Sequence, residues 1–360
     1  MTRTYYAIGR IKMETINFRS ICSAVIAVLL GFILGALFIQ GSGLNALEAY
    51  SSMFLGAFST PYKIAETMLR SSPFMLAALG FAIARKAGYW NLGIEGQMYI
   101  GMFFTLLGGI YFTYLPPILH IALGYLLGFV GAGAWSLFSG ILKAKYGVNE
   151  ILTTLMMNFV GHLVVHYFVY YPLDDPSIEV EGKSIPILAS AKLPILVDGT
   201  RLHAGVIVSL VLPFIIYIFL KKSILGYNIR AVGHNADAAR FGGVSVANTI
   251  MIASFLSGGI AGLAAANEVL GVYHYVQHGS VEGYGFIGIA AAMLALNNPL
   301  GIVFSSFFFG FLYSGSVYMT RGAGLTIGAI QLFVGIMILM TLVSPLIERI
   351  TERKKYLSFG

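Results

Sequence analysis

Five polar side chains capable of proton or solute chemistry stand inside apolar stretches of this 360-residue chain. Glu95 lies in the run Asn91-Leu-Gly-Ile-Glu-Gly-Gln-Met98, with Asn91 and Gln97 close by. A helix starting at residue 89 would carry Glu95 roughly 9 Å into the apolar block at about 1.5 Å per residue. An ionisable group at such depth faces a bundle interior or a wet cavity. Two readings follow: these residues line a path for a polar solute, or they form an amide and carboxyl network that pins a broken helix. Asn267 and Glu268, near the far end of another block, raise the same pair of possibilities, with an interfacial position as the alternative to a path. Glu150 follows Asn149 at the start of a block, where a carboxylate favours a helix N-terminus, and reads as structural.

Other candidate chemistries lack a necessary part. His162 with His166, and His274 with His278, are spaced to share a helical face, but neither pair has the Glu of a metalloprotease helix or an evident third ligand, so interfacial histidines are expected and no metal. Gly182-Lys183-Ser184 has Ser177 where a phosphate loop needs its first glycine, so no nucleotide or other cofactor site is expected in this chain. No nucleophile and base pair stands out, and no catalytic residue is assigned. The single cysteine, Cys22, excludes an intrachain disulfide.

The elements that position these residues are membrane helices. Apolar residues make up 58% of the chain and charged ones 10%, against about 25% charged in soluble domains. Ten apolar blocks are read at 20–40, 65–84, 89–113, 118–142, 148–170, 203–220, 245–270, 284–297, 299–318 and 325–345, near the length that crosses a bilayer. The block at 284–297 is short and forms a re-entrant pair with the next as an alternative to two crossings. The expected fold is an all-α polytopic membrane protein with both termini cytoplasmic. Residues 1–19 form a cytoplasmic N-terminus, 20–345 a single transmembrane domain and 346–360 a cytoplasmic tail. This threading puts 16 of the 22 Lys and Arg inside, as basic residues in short loops favour the cytoplasm. The net charge of +7 therefore reflects membrane topology and not nucleic-acid binding. Residues 171–202, acidic and broken by prolines, form an outer loop. Gly88-Tyr and Gly283-Tyr open two blocks with a Gly-Ile at the same offset, from opposite sides, as an inverted pseudo-repeat would. Glycines such as Gly128, Gly258 and Gly262 let helices approach closely in lipid.

One polar island, Gly226 to Gly243, lies in the cytoplasmic loop 221–244. Asn235 is a plausible N-cap, Asp237 suits the first turn, Ala238 and Ala239 favour helix, and Gly242-Gly243 end it. The resulting stub, residues 236–241, is too short to stand alone and needs a surface to rest on.

The order Gly226-Tyr-Asn-Ile-Arg-Ala-Val-Gly-x-Asn-x-x-Ala-Ala-Arg-x-Gly-Gly, followed by Ser257-Gly-Gly-Ile-Ala-Gly262, resembles the permease subunit of ABC importers of the ribose, branched-chain amino acid and nucleoside type. Asn91 to Met98 is similar to the segment marking the nucleoside branch, and Gly288 to Gly301 is a third match. The resemblance covers about residues 70 to 345. It implies a bacterial plasma-membrane subunit that forms a nucleoside path with a second permease, paralogue or copy. It also implies an extracytoplasmic nucleoside-binding lipoprotein and a separate ATPase that consumes Mg-ATP. In that family the island carries the coupling helix, which places Asn235, Asp237, Ala238, Ala239, Arg240 and Gly242 against the ATPase. A transporter driven by an ion gradient is the rival reading, since it too accounts for inverted repeats and a buried Glu95.

Overall fold

A computed structural model describes residues 18–343, apart from residues 176, 178–181 and 278. Every described regular element longer than a single bridge is helical. In order these are α1 (Phe18–Gly41), α2 (Ala46–Phe58), α3 (Pro61–Lys86), α4 (Ile94–Tyr111), α5 (Pro117–Tyr146), α6 (Glu150–Tyr170), α7 (Gly205–Lys222), α8 (Ile224–His234), α9 (Ala236–Phe241), α10 (Val246–Glu268), α11 (Tyr284–Leu294), α12 (Pro299–Ala323) and α13 (Ile327–Leu342). Each of the ten apolar blocks contains a helix. Among the described residues, seven helices are long and apolar enough to span a membrane: α1, α3, α5, α6, α7, α12 and α10 with the π-helical turn Val269–Tyr273 that extends it. Helices α11 and α13 are apolar but shorter, and α4 carries Glu95 and Gln97 in its first turns.

Helix α3 is the axis. Its most apolar window is 89% buried, against 22% for α6 at the periphery. A core this apolar cannot be held by hydrophobicity alone when the surroundings are lipid, so close backbone approach matters. The α10 stripe Gly258, Gly259 and Gly262 meets Ala132, Phe129 and Gly128 of α5, and Gly101 of α4 abuts Gly262. One hydrophobic cluster runs continuously through the bundle, from Ile39 of α1 to Met337 of α13.

Between the first two blocks, Asn45 accepts from the N–H groups of Leu47 and Glu48, and α2 follows, laid along α12 through Gly56 against Tyr318. The described residues of segment 171–202 form a loop with isolated bridges and the short turn Ala189–Ala191, and backbone hydrogen bonds pin it to the turn after α10. Ser184 N–H donates to Val276 O at 2.9 Å and Ile187 N–H to His274 O at 2.8 Å. With Leu173, Ile187, Ala191 and Leu193 buried, it forms a lid on the face of the bundle opposite α9. Of its acidic residues, Glu179 and Glu181 lie outside the described residues, as do 1–17 and 344–360 at the ends.

Candidate translocation site and coupling segment

The run holding Glu95 folds differently from an uninterrupted helix. Helix α3 ends at Lys86, Gly88 turns the chain at a φ of 75°, and α4 begins only at Ile94. Glu95 is thus in the first turn of α4, and the helical-rise depth of 9 Å does not apply, because residues 89–93 enter the bundle without helical structure. An unpaired backbone there would be costly in an apolar interior, and amides satisfy it. Asn91 accepts from Gly93 N–H at 3.0 Å, exchanges bonds of 3.0 and 2.9 Å with Gln97, and donates to Ser257 Oγ at 2.8 Å. From α6, Asn158 accepts from Gly96 N–H at 2.8 Å and donates to Leu92 O at 2.8 Å, while Thr154 Oγ1 accepts from Leu92 N–H. Asn91 and Gln97 spend their polar groups on this clamp. Asn158 and Thr154 complete it, and the only signal for them in the sequence is polarity within an apolar block.

Glu95 faces the other way. Its backbone and Cβ lie against Gly285, where an added Cβ would be 2.6 Å from Glu95 N. Its carboxyl is within reach of the Gly283 and Gly285 backbones, with Glu282 and Tyr99 nearby, and Oε2 is buried with no hydrogen-bond partner. Gly283 has a φ of 78° and caps α11. The two Gly-Tyr turns therefore both sit at left-handed glycines, although one leads directly into a helix and the other into residues 89–93. Helix α11 runs alongside α3 in the same direction, with Tyr284 beside Arg70 and Gly288 beside Ala77, whereas α4 returns parallel to α10. Two oppositely directed helices thus begin at the same place, with Glu95 between their N-termini, where negative charge is favoured.

Asn267 and Glu268 are both buried, not interfacial. Asn267 Nδ2 reaches Ser72 Oγ at 2.8 Å, Ser209 Oγ at 2.9 Å and Gly205 O at 3.1 Å, and its Oδ1 accepts from Tyr125. It ties α10 to α3, α5 and α7. Glu268 is in electrostatic reach of Arg70 and Arg201. Arg70 donates to Glu66 at 3.2 Å and to Tyr284 Oη at 2.8 Å, and Arg201 also pairs with Glu66. The five candidate path residues thus divide into two structural networks, one with Asn91 and Gln97 and one with Asn267, and two carboxyls, Glu95 beside α11 and Glu268 beside an arginine cluster.

Glu150 pairs with Lys143 at 2.7 Å at the start of α6, which Asn149 caps. His162 lies beside Tyr99 and His166 stacks on Tyr170. His274 is in a left-handed turn, and His278 lies outside the described residues. Among the described residues no group of three metal-ligating side chains converges.

The polar island is two helices. Asn235 interrupts them with an extended backbone and caps α9 by accepting from Asp237 and Ala238 N–H, each at 3.0 Å. Gly242 and Gly243 close it, the latter at a φ of 84°. Ala239 faces the bundle and is buried. Ala238, Asp237 and Arg240 face outward, and the Phe241 ring is 94% exposed at the tip. Helix α8, within the segment expected as a cytoplasmic loop, seats α9: Gly226 lies against Phe219 and Leu220 of α7, and Gly233 lies against Lys86 and Gly88.

A bundle of apolar helices with a half-buried carboxyl between two broken ones, and an exposed helical stub at one face, defines a multi-pass membrane permease. Residues 63–343 match the family described as branched-chain amino acid transport system, permease component, and the chain belongs to that family. It is 34% identical to the guanosine ABC transporter permease protein NupP of Bacillus subtilis, over 92% of this chain and 95% of the relative. It is 31% identical to the nucleoside ABC transporter permease protein NupB of Lactococcus lactis, over 84% and 85%. A glucose ABC transporter permease protein of Haloferax volcanii is 26% identical over 90% and 88%. No solved structure matches the chain.

Proposed function

We propose that this chain forms the translocation path for nucleosides in a bacterial ABC importer. The cargo reading is supported by the names of NupP and NupB, each more than 30% identical to this chain, and by the Asn91 to Met98 run. The exposed stub α9 carries the coupling reading. A phenylalanine 94% exposed at the tip of a six-residue helix is explained by a partner surface, since such a helix is not stable alone and the ring gains by leaving water. The α9 face is then cytoplasmic, residues 20–345 form one permease domain, and residues 171–202 face outward. Asn235, Asp237, Ala238, Arg240 and Gly242 shape the surface offered to the ATPase, and Ala239 seats it on the bundle.

The ATPase is a separate subunit that hydrolyses Mg-ATP, and this chain holds no nucleotide. A second permease completes the path, and an extracytoplasmic nucleoside-binding lipoprotein delivers cargo. Closure of the ATPases moves α9 and α8, and through Gly233 and Lys86 the end of α3 and the break at residues 87–93, so that the α4 and α11 N-termini shift around Glu95. Packed helices respond as rigid units with discrete arrangements. The test is uptake of labelled nucleosides by cells expressing the importer, before and after ATP depletion. ATP-dependent accumulation is expected, and uptake that survives depletion would favour an ion-gradient transporter with Glu95 as its titrating group.

A further inference from the structure

Opposite the α9 face, between the ends of α3 and α12, lies a cavity of about 240 Å³ lined by Tyr62, Glu66, Arg70, Arg201, Tyr313 and Arg321 among others. Its charges are unequally spent. Glu66 is shared by Arg70 and Arg201, and Arg70 is further engaged by Tyr284 and by the face of Tyr313. Arg321 lines the same cavity and makes no hydrogen bond or ion pair among the described residues. Tyr62 also lines it, its ring 46% exposed and without a ring partner among the described residues. Below them lies Arg70, which connects to Tyr284 at the start of α11 and, through its field, to buried Glu268. The cavity is thereby connected, through Arg70 and Tyr284, to the start of α11, where Gly285 lies against Glu95.

The unspent groups specify a ligand. A guanidinium is a planar fork of donors with no acceptor, so what it binds must offer two acceptors on one edge. An exposed tyrosine ring offers a stacking face to a base. The volume is below the ~300–1,000 Å³ of sites that enclose a drug-sized ligand, so it takes one ring system and leaves the remainder of the molecule outside. A 6-oxopurine meets each condition, because O6 and N7 are paired acceptors, whereas a 6-aminopurine replaces one with a donor. We infer that this cavity receives the base of a 6-oxopurine nucleoside on the side opposite α9, with Arg321 reading O6 and N7 and Tyr62 stacking on the ring. This deepens the nucleoside reading above and rests on it.

The experiment is uptake by the complete importer of labelled guanosine in competition with inosine, adenosine and uridine, for the unaltered chain, Arg321→Met and Tyr62→Leu, with the membrane level of each measured. The expected result is a preference for guanosine and inosine over adenosine. Arg321→Met should reduce that preference by roughly 5- to 150-fold, the discrimination carried by one bidentate pair, with KM raised. Tyr62→Leu should weaken all bases while keeping their order. Guanosine uptake with an unchanged KM and unchanged order in Arg321→Met would overturn the inference and leave the nucleoside reading standing. So would the absence of any 6-oxo over 6-amino preference in the unaltered importer. Equal loss for every cargo, together with loss of receptor association in a pull-down, would overturn it in favour of a carboxylate contact from the receptor. An unaltered importer that accumulates no nucleoside but another solute would overturn both readings.

Discussion

Gly233 of α8 lies so close to the carbonyl oxygen of Lys86, at the end of α3, that a side chain of any size would displace one of them. This contact joins the segment bearing α9 to the most buried helix of the bundle, and Gly88, which turns the chain toward the break before α4, is in the same contact. On the proposed coupling role of α9, this contact is the short route by which its movement would reach the break before α4 and Glu95.

Gly233→Ala is therefore expected to separate binding from coupling. Overpacking of this kind costs about 1–3 kcal/mol, which α8 can relieve by moving away from α3. The variant should insert and still bind the ATPase while uptake per ATP hydrolysed falls severalfold. Normal uptake per ATP would show that the contact transmits nothing.

Asn267 is expected to be a stability residue. Replacement by Leu leaves the buried Tyr125 hydroxyl without its acceptor and removes the amide donor to the mutually bonded Ser72 and Ser209 hydroxyls, at a cost of about 1–3 kcal/mol. Thermal unfolding in detergent should occur at a lower temperature. A double variant with Ser72→Ala should be less destabilised than the sum of the single changes, because the two residues share one network.

Glu95 is expected to act through its ionisable carboxyl. Glu95→Gln keeps the shape but removes the ionisable carboxyl set between the α4 and α11 N-termini, so uptake should change while the unfolding temperature stays close to that of the unaltered chain. Gly285→Ala, which pushes a methyl group onto the Glu95 backbone, should impair both. Unchanged uptake kinetics in Glu95→Gln would leave only a structural role.

Much of this was legible in the sequence where a local rule acts alone. Apolar length located ten helices, and the Asn235 cap with the Gly242-Gly243 stop located α9 at residues 236–241. What escaped depends on distant partners. The break at residues 87–93 reads as the start of a helix because its residues are apolar. It stays open because Asn158 and Thr154, about 60 residues away, satisfy its backbone. Neighbours Asn267 and Glu268 read as one site, yet successive helical side chains diverge by about 100°, and they serve different networks. Helix α8 was hidden by glycines that disfavour helix locally and are required by contact with α7 and α3.

The central claim is that α9 is where a separate ATPase takes hold of this chain. The direct measurement is co-purification of the ATPase with Arg240→Glu and Ala238→Arg permeases, alongside uptake and membrane insertion. Reversing the charge at Arg240, or placing a long cation on the outward-facing Ala238, should abolish ATPase association and uptake while insertion is normal. Retained association with normal uptake in both variants would contradict the claim.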